Sequence, residues 1–145
     1  MEAKLPSQAP EVPKAVIDQG GQLGKLTLRF RVRDVVENFS GGVMKKFGLD
    51  YASVAPTNPR LVYCSISAYG HTGPDAHRAG FGLIAEAKSG IMQMVGTPGE
   101  APPLLRISLG DMYTGIHAVA AINAALLGRV SSGKGQHIDM ALYDT

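Results

Sequence analysis

The chain has 145 residues, of which 45% are hydrophobic and 18% are charged, and this composition is typical of one folded domain with its own core. A formal net charge of +2 gives no strongly basic surface, and no apolar run approaches the roughly 20 residues that span a membrane, so neither nucleic acid nor a membrane is expected as a partner. Cys64 is the only cysteine, which excludes an internal disulfide and favours a reducing, cytoplasmic location.

The first half of the chain predicts strands that follow an irregular start. Residues 1–33 form a lead-in rich in proline and glycine, and its last part, 26–33, alternates apolar and polar residues as a half-exposed strand does. Further strands are predicted near 35–39 and 61–67, where residues that favour strands cluster. Residues 43–55 predict a short helical piece broken at Gly48, and the glycines and proline of 70–74 predict a turn.

The second half predicts helices and one more strand. Apolar residues at helical spacing predict a helix over 79–96 with a break at Gly90, its apolar face carrying positions 81, 84, 87, 91, 92 and 95. A longer helix follows, whose core-facing stripe is predicted at positions 116, 119, 120, 124 and 127, together with Asn123. The stretch "SSGKGQ" predicts a helix-to-strand turn, and a strand is predicted near 138–143. Alternating strands and helices indicate an α/β fold.

Asp111, between a glycine and the long apolar helix, is the first candidate functional residue. The pattern alone favours an N-cap, because an aspartate there accepts hydrogen bonds from the free N–H groups of the first turn. A second interpretation is a nucleophilic carboxylate that attacks an activated acyl group. The four histidines are too far apart in sequence for a recognisable metal-binding spacing, so surface or core histidines are expected.

Several segments, taken in order, resemble the class III CoA-transferases, the CaiB/BaiF family. They are "DVVENFSGGVMKKFGLDY", "NPRLVYCSISAYGHTGP", "RAGFGLIAEAKSGIM", "LGDMYTGIHAVAAINAALLGR" and "SGKGQHIDMALYD". The resemblance covers residues 34–145 and implies a truncated Rossmann-like large domain of the CoA-transferase III fold. Family members are much longer, so the resemblance also implies that the chain is a fragment. Residues 1–33 match the family poorly.

The resemblance also implies a site and a chemistry. In the family, a catalytic aspartate stands in an L-G-D segment ahead of the long helix, which corresponds to Leu109, Gly110 and Asp111 here. The residues expected near coenzyme A are Glu37, Asn38, Phe39, Lys46, Tyr69 and Gly70. The implied activity is transfer of CoA from an acyl-CoA to a carboxylic acid through an aspartyl anhydride and an aspartyl-CoA thioester. No permanently bound cofactor or metal is implied, and the full-length family forms interlocked homodimers.

Departures from the family pattern keep alternatives open. Many members read F-x-P-G where this chain reads Phe39-Ser40-Gly41-Gly42. The acid that usually precedes the middle helix is replaced by Gly82. Racemase members carry a histidine base where this chain has Phe81, which favours transfer over racemisation. The alternatives are a non-catalytic family remnant that acts as an interaction module, and an enzyme similar to α-methylacyl-CoA racemase.

Overall fold

The computed structural model describes residues 33–145. The predicted strand at 26–33, apart from Arg33, and the lead-in before it lie outside the described residues. The strands are β1 (Asp34–Glu37), β2 (Val62–Ser67) and β3 (Gln136–Ala141). The helices are α1 (Val43–Lys46), α2 (Tyr51–Val54), α3 (Gly82–Ser89), α4 (Ile91–Met94) and α5 (Leu109–Ser132), and a 3-10 turn spans Ala55–Thr57. This mixture of helices and strands confirms the predicted α/β class.

The three strands form one parallel sheet in the order β1-β2-β3. The strands predicted near 35–39, 61–67 and 138–143 are all present, with their ends displaced by one or two residues. The central strand β2 is the most buried, as expected for a strand that is paired on both edges and covered on its faces. In the register, Glu37, Ser65 and Asp139 are paired side by side across the sheet, so three polar residues share one row near the carboxyl ends of the strands.

Glycines end or interrupt the helices where the sequence predicts breaks. Gly48 separates α1 from α2 with φ 65°, and Gly90 separates α3 from α4 with φ 84°. Both values lie in the left-handed region, which costs a glycine little. After α5, Gly133 has φ 71°, and a Cβ on Gly135 would overlap the backbone of Leu61. The predicted helix-to-strand turn at "SSGKGQ" is therefore confirmed.

The predicted packing face of α5 is wrong for the described residues. The helix contacts β2 and β3, but its buried residues are Thr114, Ala118 and Ala125. Three residues of the predicted stripe are exposed instead: Ile116 by 64%, Val119 by 60% and Leu127 by 73%. The buried residues of α5 are all small, so the spacing of its larger apolar residues did not identify the packed face.

The middle helices show the same correction. Phe81 and Ile84, which the apolar spacing predicts to be in the core, are exposed, and Ala85 and Glu86, which it does not select, are buried. Met92 is buried as predicted. The buried face of α3 thus carries small residues and one acid. None of the helices in the range 33–145 combines the length and apolar character needed to cross a membrane.

Candidate active site

Asp111 lies in the first turn of α5 but does not cap that helix. The cap position belongs to Ser108, whose carbonyl oxygen accepts the N–H of Met112 at 3.1 Å and whose side chain makes no capping bond. The N-cap interpretation of Asp111 is therefore wrong. Its carboxylate makes no hydrogen bond or ion pair with any residue between 33 and 145.

The backbone directly before α5, three residues ahead of Asp111, is strained. Ser108 has φ 44° and ψ 57°, and within the described range it is the only residue other than glycine with a positive φ. A left-handed serine costs about 1 kcal/mol or more, and such strain is often found at functional sites. The turn before α5 is thus held in an unusual conformation immediately ahead of Asp111.

Gly82 and Gly110 bring the first turns of α3 and α5 together. A Cβ on Gly110 would lie 3.1 Å from the Cα of Gly82. A Cβ on Gly82 would lie only 2.6 Å from Oδ2 and 2.7 Å from Cγ of Asp111. The carboxylate therefore occupies space that any larger residue at position 82 would take. It also lies at the positive end of the α3 dipole, which favours a negative charge.

Glu86, one turn further along α3, also joins the two helices. Its Oε1 accepts the N–H of Gly110 at 3.1 Å, which satisfies one of the free donors at the start of α5. Its Oε2 is buried and has no hydrogen-bond donor among the described residues. We refer to Gly82, Glu86, Gly110 and Asp111 together as the Asp111 site.

A separate cavity of about 250 Å³ lies against one face of the sheet, with Tyr63 and His137 from the starts of β2 and β3 in its lining, and extends to the carboxyl edge of the sheet at Glu37. In open α/β sheets this edge is where ligands bind. Asp111 is not among the lining residues. We call this space the strand-end cavity, and it is lined by Glu37, Ser40, Gly42, Met44, Lys45, Asp50, Tyr51, Ala52, Tyr63, Ser65, His71 and His137.

Two histidines organise the polar side of the strand-end cavity. The Nδ1 atom of His71 lies 2.9 Å from Oδ1 of Asp139, and its backbone N–H donates to Oδ2 of the same carboxylate at 2.9 Å. The Nε2 atom of His71 is 3.9 Å from Oε1 of Glu37. His137 contacts the hydroxyl of Ser65 at 3.0 Å and stacks on the ring of Tyr51. No cluster in the described part of the chain has the ligands for a metal ion.

The His137 imidazole should make folding stability depend on pH. Burial lowers its pKa below the ordinary value of 6.5, with Asp139 and Glu37 raising it and His71 lowering it further. Between 6.5 and the lowered pKa of the folded state, the unfolded chain binds more protons than the folded one, so the free energy of unfolding should fall as the pH falls from 6.5 through that lowered pKa. We expect His137→Gln to flatten this slope, by at most about 1.4 kcal/mol per pH unit.

Urea unfolding at a series of pH values on either side of about pH 6.5 measures this slope. Glutamine retains a group that can bond to the Ser65 hydroxyl, so the substitution removes the titration while preserving that contact. A variant with the same slope as the unchanged protein would contradict the assignment of the effect to His137.

The residues predicted to lie near CoA fall into two groups. Glu37 lines the strand-end cavity and accepts the N–H of Phe39 at 2.9 Å, while Asn38 and Phe39 are exposed just beyond β1. Lys46 is exposed at the end of α1, and its neighbour Lys45, not Lys46, lines the cavity.

Tyr69 and Gly70 lie in the loop that follows β2. A Cβ on Gly80, ahead of α3, would lie 3.6 Å from Cε2 of Tyr69. The ring of Tyr69 also lies 4.4 Å from the ammonium of Lys88, a cation–π distance. Gly70 has φ 78° and faces the Asp139 carboxylate. The loop after β2 therefore contacts the chain ahead of α3, through Tyr69, and the Asp139 carboxylate of β3, through Gly70.

Sequence reasoning did not select Glu86 or the His71–Asp139 pair. Glu86 stands one helical turn after Gly82, a spacing that places both on one face of α3. That spacing was the one sign in the sequence that Glu86 could face the Asp111 segment. An acid within an amphipathic helix is ordinarily predicted to be exposed to solvent, so Glu86 was not selected. His71 and Asp139 are far apart in sequence and meet only because β2 and β3 pair in parallel.

Fold and site together define an α/β protein with an unpaired carboxylate at the start of a long helix and, beside the sheet, a cavity that combines apolar surface with charged and histidine side chains. The sequence profile of CoA-transferase family III matches residues 32–145, so the chain belongs to that family. This confirms the predicted resemblance and the fold that it implies.

Individual relatives agree with the family assignment. A succinate–glutarate CoA-transferase of Agrobacterium fabrum is 47% identical over 110 residues, which are 76% of this chain and 28% of the relative. An acetyl-CoA:oxalate CoA-transferase of Acetobacter aceti is 39% identical over 130 residues, 88% of this chain and 33% of the relative. The crystal structure of a CaiB/BaiF family protein from Brucella suis superposes with a TM-score of 0.74 at 47% identity, covering 77% of this chain and 30% of that one. The chain thus spans about a third or less of the length of these relatives.

Proposed function

We propose that Asp111 is the nucleophile of a CoA transfer between an acyl-CoA and a carboxylic acid. The observation that carries this proposal is the Asp111 carboxylate itself, which neither caps α5 nor pairs with another described residue and lies against Gly82. A carboxylate used only for folding would be expected to accept a hydrogen bond from the helix. An accessible, unpaired carboxylate is what covalent catalysis requires.

The proposed reaction proceeds by exchange of acyl groups without a net change in protons. An Asp111 oxygen attacks the thioester carbonyl carbon, the C–S bond breaks, and CoA thiolate leaves a mixed anhydride. The thiolate then attacks Cγ of Asp111, which releases the first acid as a carboxylate and forms an aspartyl-CoA thioester. The acceptor carboxylate attacks that carbonyl and expels the thiolate again. Attack of the thiolate on the acceptor acyl carbon gives the new acyl-CoA and restores Asp111.

CoA is proposed to lie along the segment that follows β1 and the loop that follows β2. The proposed contacts are Glu37, Asn38, Phe39, Lys46, Tyr69 and Gly70. Their position at the carboxyl ends of parallel strands supports this assignment, because nucleotides bind there in open α/β sheets. Exposed Phe39 offers an apolar surface, and the adjacent lysines 45 and 46 offer positive charge to phosphates. The tyrosine of the loop contacts the chain ahead of the Asp111 site, which supports a path for the thioester between the two places.

The acids exchanged are proposed to be short dicarboxylic acids. The relatives quoted above are named for succinate, glutarate and oxalate, and others for malate and mesaconate. All five of these are dicarboxylic acids, whereas the acetyl-CoA for which the Acetobacter aceti relative is also named carries a monocarboxylic acyl group, so the proposal applies to the acceptor acid. Membership of the family supports the proposal that the full-length protein forms the interlocked homodimer.

An exchange assay tests the proposed function. The longest reading frame that contains this sequence is incubated with succinyl-CoA and glutarate, and glutaryl-CoA and succinate are quantified chromatographically. We expect equimolar products with little free CoA. Deuterium uptake at the α-carbon of a branched acyl-CoA would instead favour the racemase. Stable association with a full-length CoA-transferase, without any transfer or exchange, would favour the non-catalytic remnant.

A further inference from the structure

Glu86 is a buried acid whose position is not explained by the stability of the fold. Its residue is 3% exposed, and one of its two carboxylate oxygens has no donor among the described residues. A buried polar atom without a partner costs free energy, and an apolar residue at this place would avoid that cost. The other oxygen makes one specific contact, with the N–H of Gly110, the residue directly before Asp111.

We infer that Glu86 is a positioning residue that fixes the Asp111 carboxylate for attack, an inference that rests on the proposed function of Asp111. Glu86 and Gly82 share one face of α3 and act on successive residues of α5. Glu86 holds the backbone N–H of Gly110 at 3.1 Å, which fixes the first turn of α5. Gly82 leaves room for the side chain of Asp111, which lies directly over it.

Glu86 restrains the backbone of α5 at Gly110, and Gly82 borders the side chain of Asp111. Together the two contacts hold the Asp111 carboxylate more rigidly than either would alone. Without Glu86, the start of α5 would retain only a strained serine cap that makes no side-chain bond. The nucleophile of a transfer reaction must lie within about 3–3.5 Å of the carbon that it attacks, and a displacement of about 1 Å costs about 100-fold in rate. Release of the Gly110 N–H would permit a displacement of this size.

The test uses two conservative variants that separate the effect of the length of the Glu86 side chain from the effect of its charge. Glu86→Gln keeps the chain length and a carbonyl oxygen for the Gly110 N–H, but removes the negative charge. Glu86→Asp keeps the charge but withdraws the oxygen by one methylene, about 1.5 Å. Each is made in the longest reading frame that contains this sequence and is mixed with succinyl-CoA for a single turnover. Hydroxylamine then traps the acylated Asp111, and mass spectrometry measures both the final amount of adduct and its rate constant.

The final amount of adduct and its rate constant answer different questions. The amount reports the fraction of folded, competent sites, whereas the rate constant reports the geometry within them. We expect both variants to retain most of the adduct, with a rate constant within about 3-fold of the unchanged protein for Glu86→Gln and about 10- to 100-fold lower for Glu86→Asp. Met92→Ala, a cavity in the neighbouring α4, is the structural control and should lower stability without lowering the rate constant.

Each other outcome has a defined meaning. Slow acylation in Glu86→Gln with fast acylation in Glu86→Asp would show that the charge of Glu86 matters and its reach does not. Rate constants equal to that of the unchanged protein in both variants would show that Glu86 is not needed for positioning. Loss of the adduct in both variants would make Glu86 a folding residue. All three results would overturn the inference. Absence of adduct in the unchanged protein would instead refute the proposed role of Asp111.

Discussion

Asp111→Asn should lower the turnover of CoA transfer by about four orders of magnitude or more, the scale seen when a covalent nucleophile is removed. Asparagine has nearly the same shape as aspartate but no nucleophilic oxygen that could form an anhydride. Stability should change by no more than about 1 kcal/mol, because the carboxylate makes no hydrogen bond among the described residues and contributes chiefly through the dipoles of α3 and α5.

Trapping with hydroxylamine makes this result specific to the side chain. The unchanged protein, incubated with an acyl-CoA, should yield a hydroxamate at Asp111, because anhydrides and thioesters of a side-chain carboxylate both react with that amine. The variant should yield none. Glu100→Gln, an exposed acid in the loop before α5, is the matched control and should keep its turnover. Near-normal turnover of Asp111→Asn would show that the aspartate is not the nucleophile.

The strands were predictable because their signals are local. The β2 segment combines strand-favouring residues with burial on both faces, and β3 follows a glycine turn that permits close approach to Leu61. Helix breaks at Gly48 and Gly90 were predictable for the same reason, since a left-handed residue favours glycine wherever it occurs.

The packed faces of the helices were not predictable from hydrophobicity alone. In α5 the buried residues are Thr114, Ala118 and Ala125, which are small, whereas many of the larger apolar residues are exposed within the described range. A pattern of apolar residues identifies a helix, but which of its faces meets the sheet depends on how closely the backbones approach. That distance is a tertiary property.

The candidate site, too, was only partly predictable from the sequence. Asp111 was selected through the resemblance of its segment to a family motif, while the local pattern favoured a cap that the structure assigns to Ser108. The contact of Glu86 with Gly110 joins residues on separate helices, and no feature of either segment specifies the partner. The Asp111 carboxylate occupies the space above Gly82 in this fold, so a family member with an acid at that position must hold its aspartate in a different place.

Gly82→Ala should slow acylation of Asp111 about 100-fold while leaving the fold intact. The added Cβ would lie 2.6 Å from Oδ2 and 2.9 Å from Oδ1 of Asp111, distances that real Cβ atoms do not adopt. The carboxylate must therefore move, and it can do so because it is the end of a side chain and not backbone. The helix itself should not suffer, because Gly82 does not have the left-handed backbone that would strain an alanine.

Gly115→Ala provides the matched control in the first half of α5. A Cβ there meets nothing within 4 Å among the described residues, so the substitution should raise the free energy of unfolding by about 0.5–1 kcal/mol and leave acylation unchanged. Single-turnover trapping with succinyl-CoA and urea unfolding, applied to both variants, separate the rate constant from stability. If Gly82→Ala acylated as fast as Gly115→Ala, the close contact between Gly82 and the Asp111 carboxylate would have no part in placing the nucleophile. A slow but fully folded Gly82→Ala would mean that this glycine reserves the space from which Asp111 attacks.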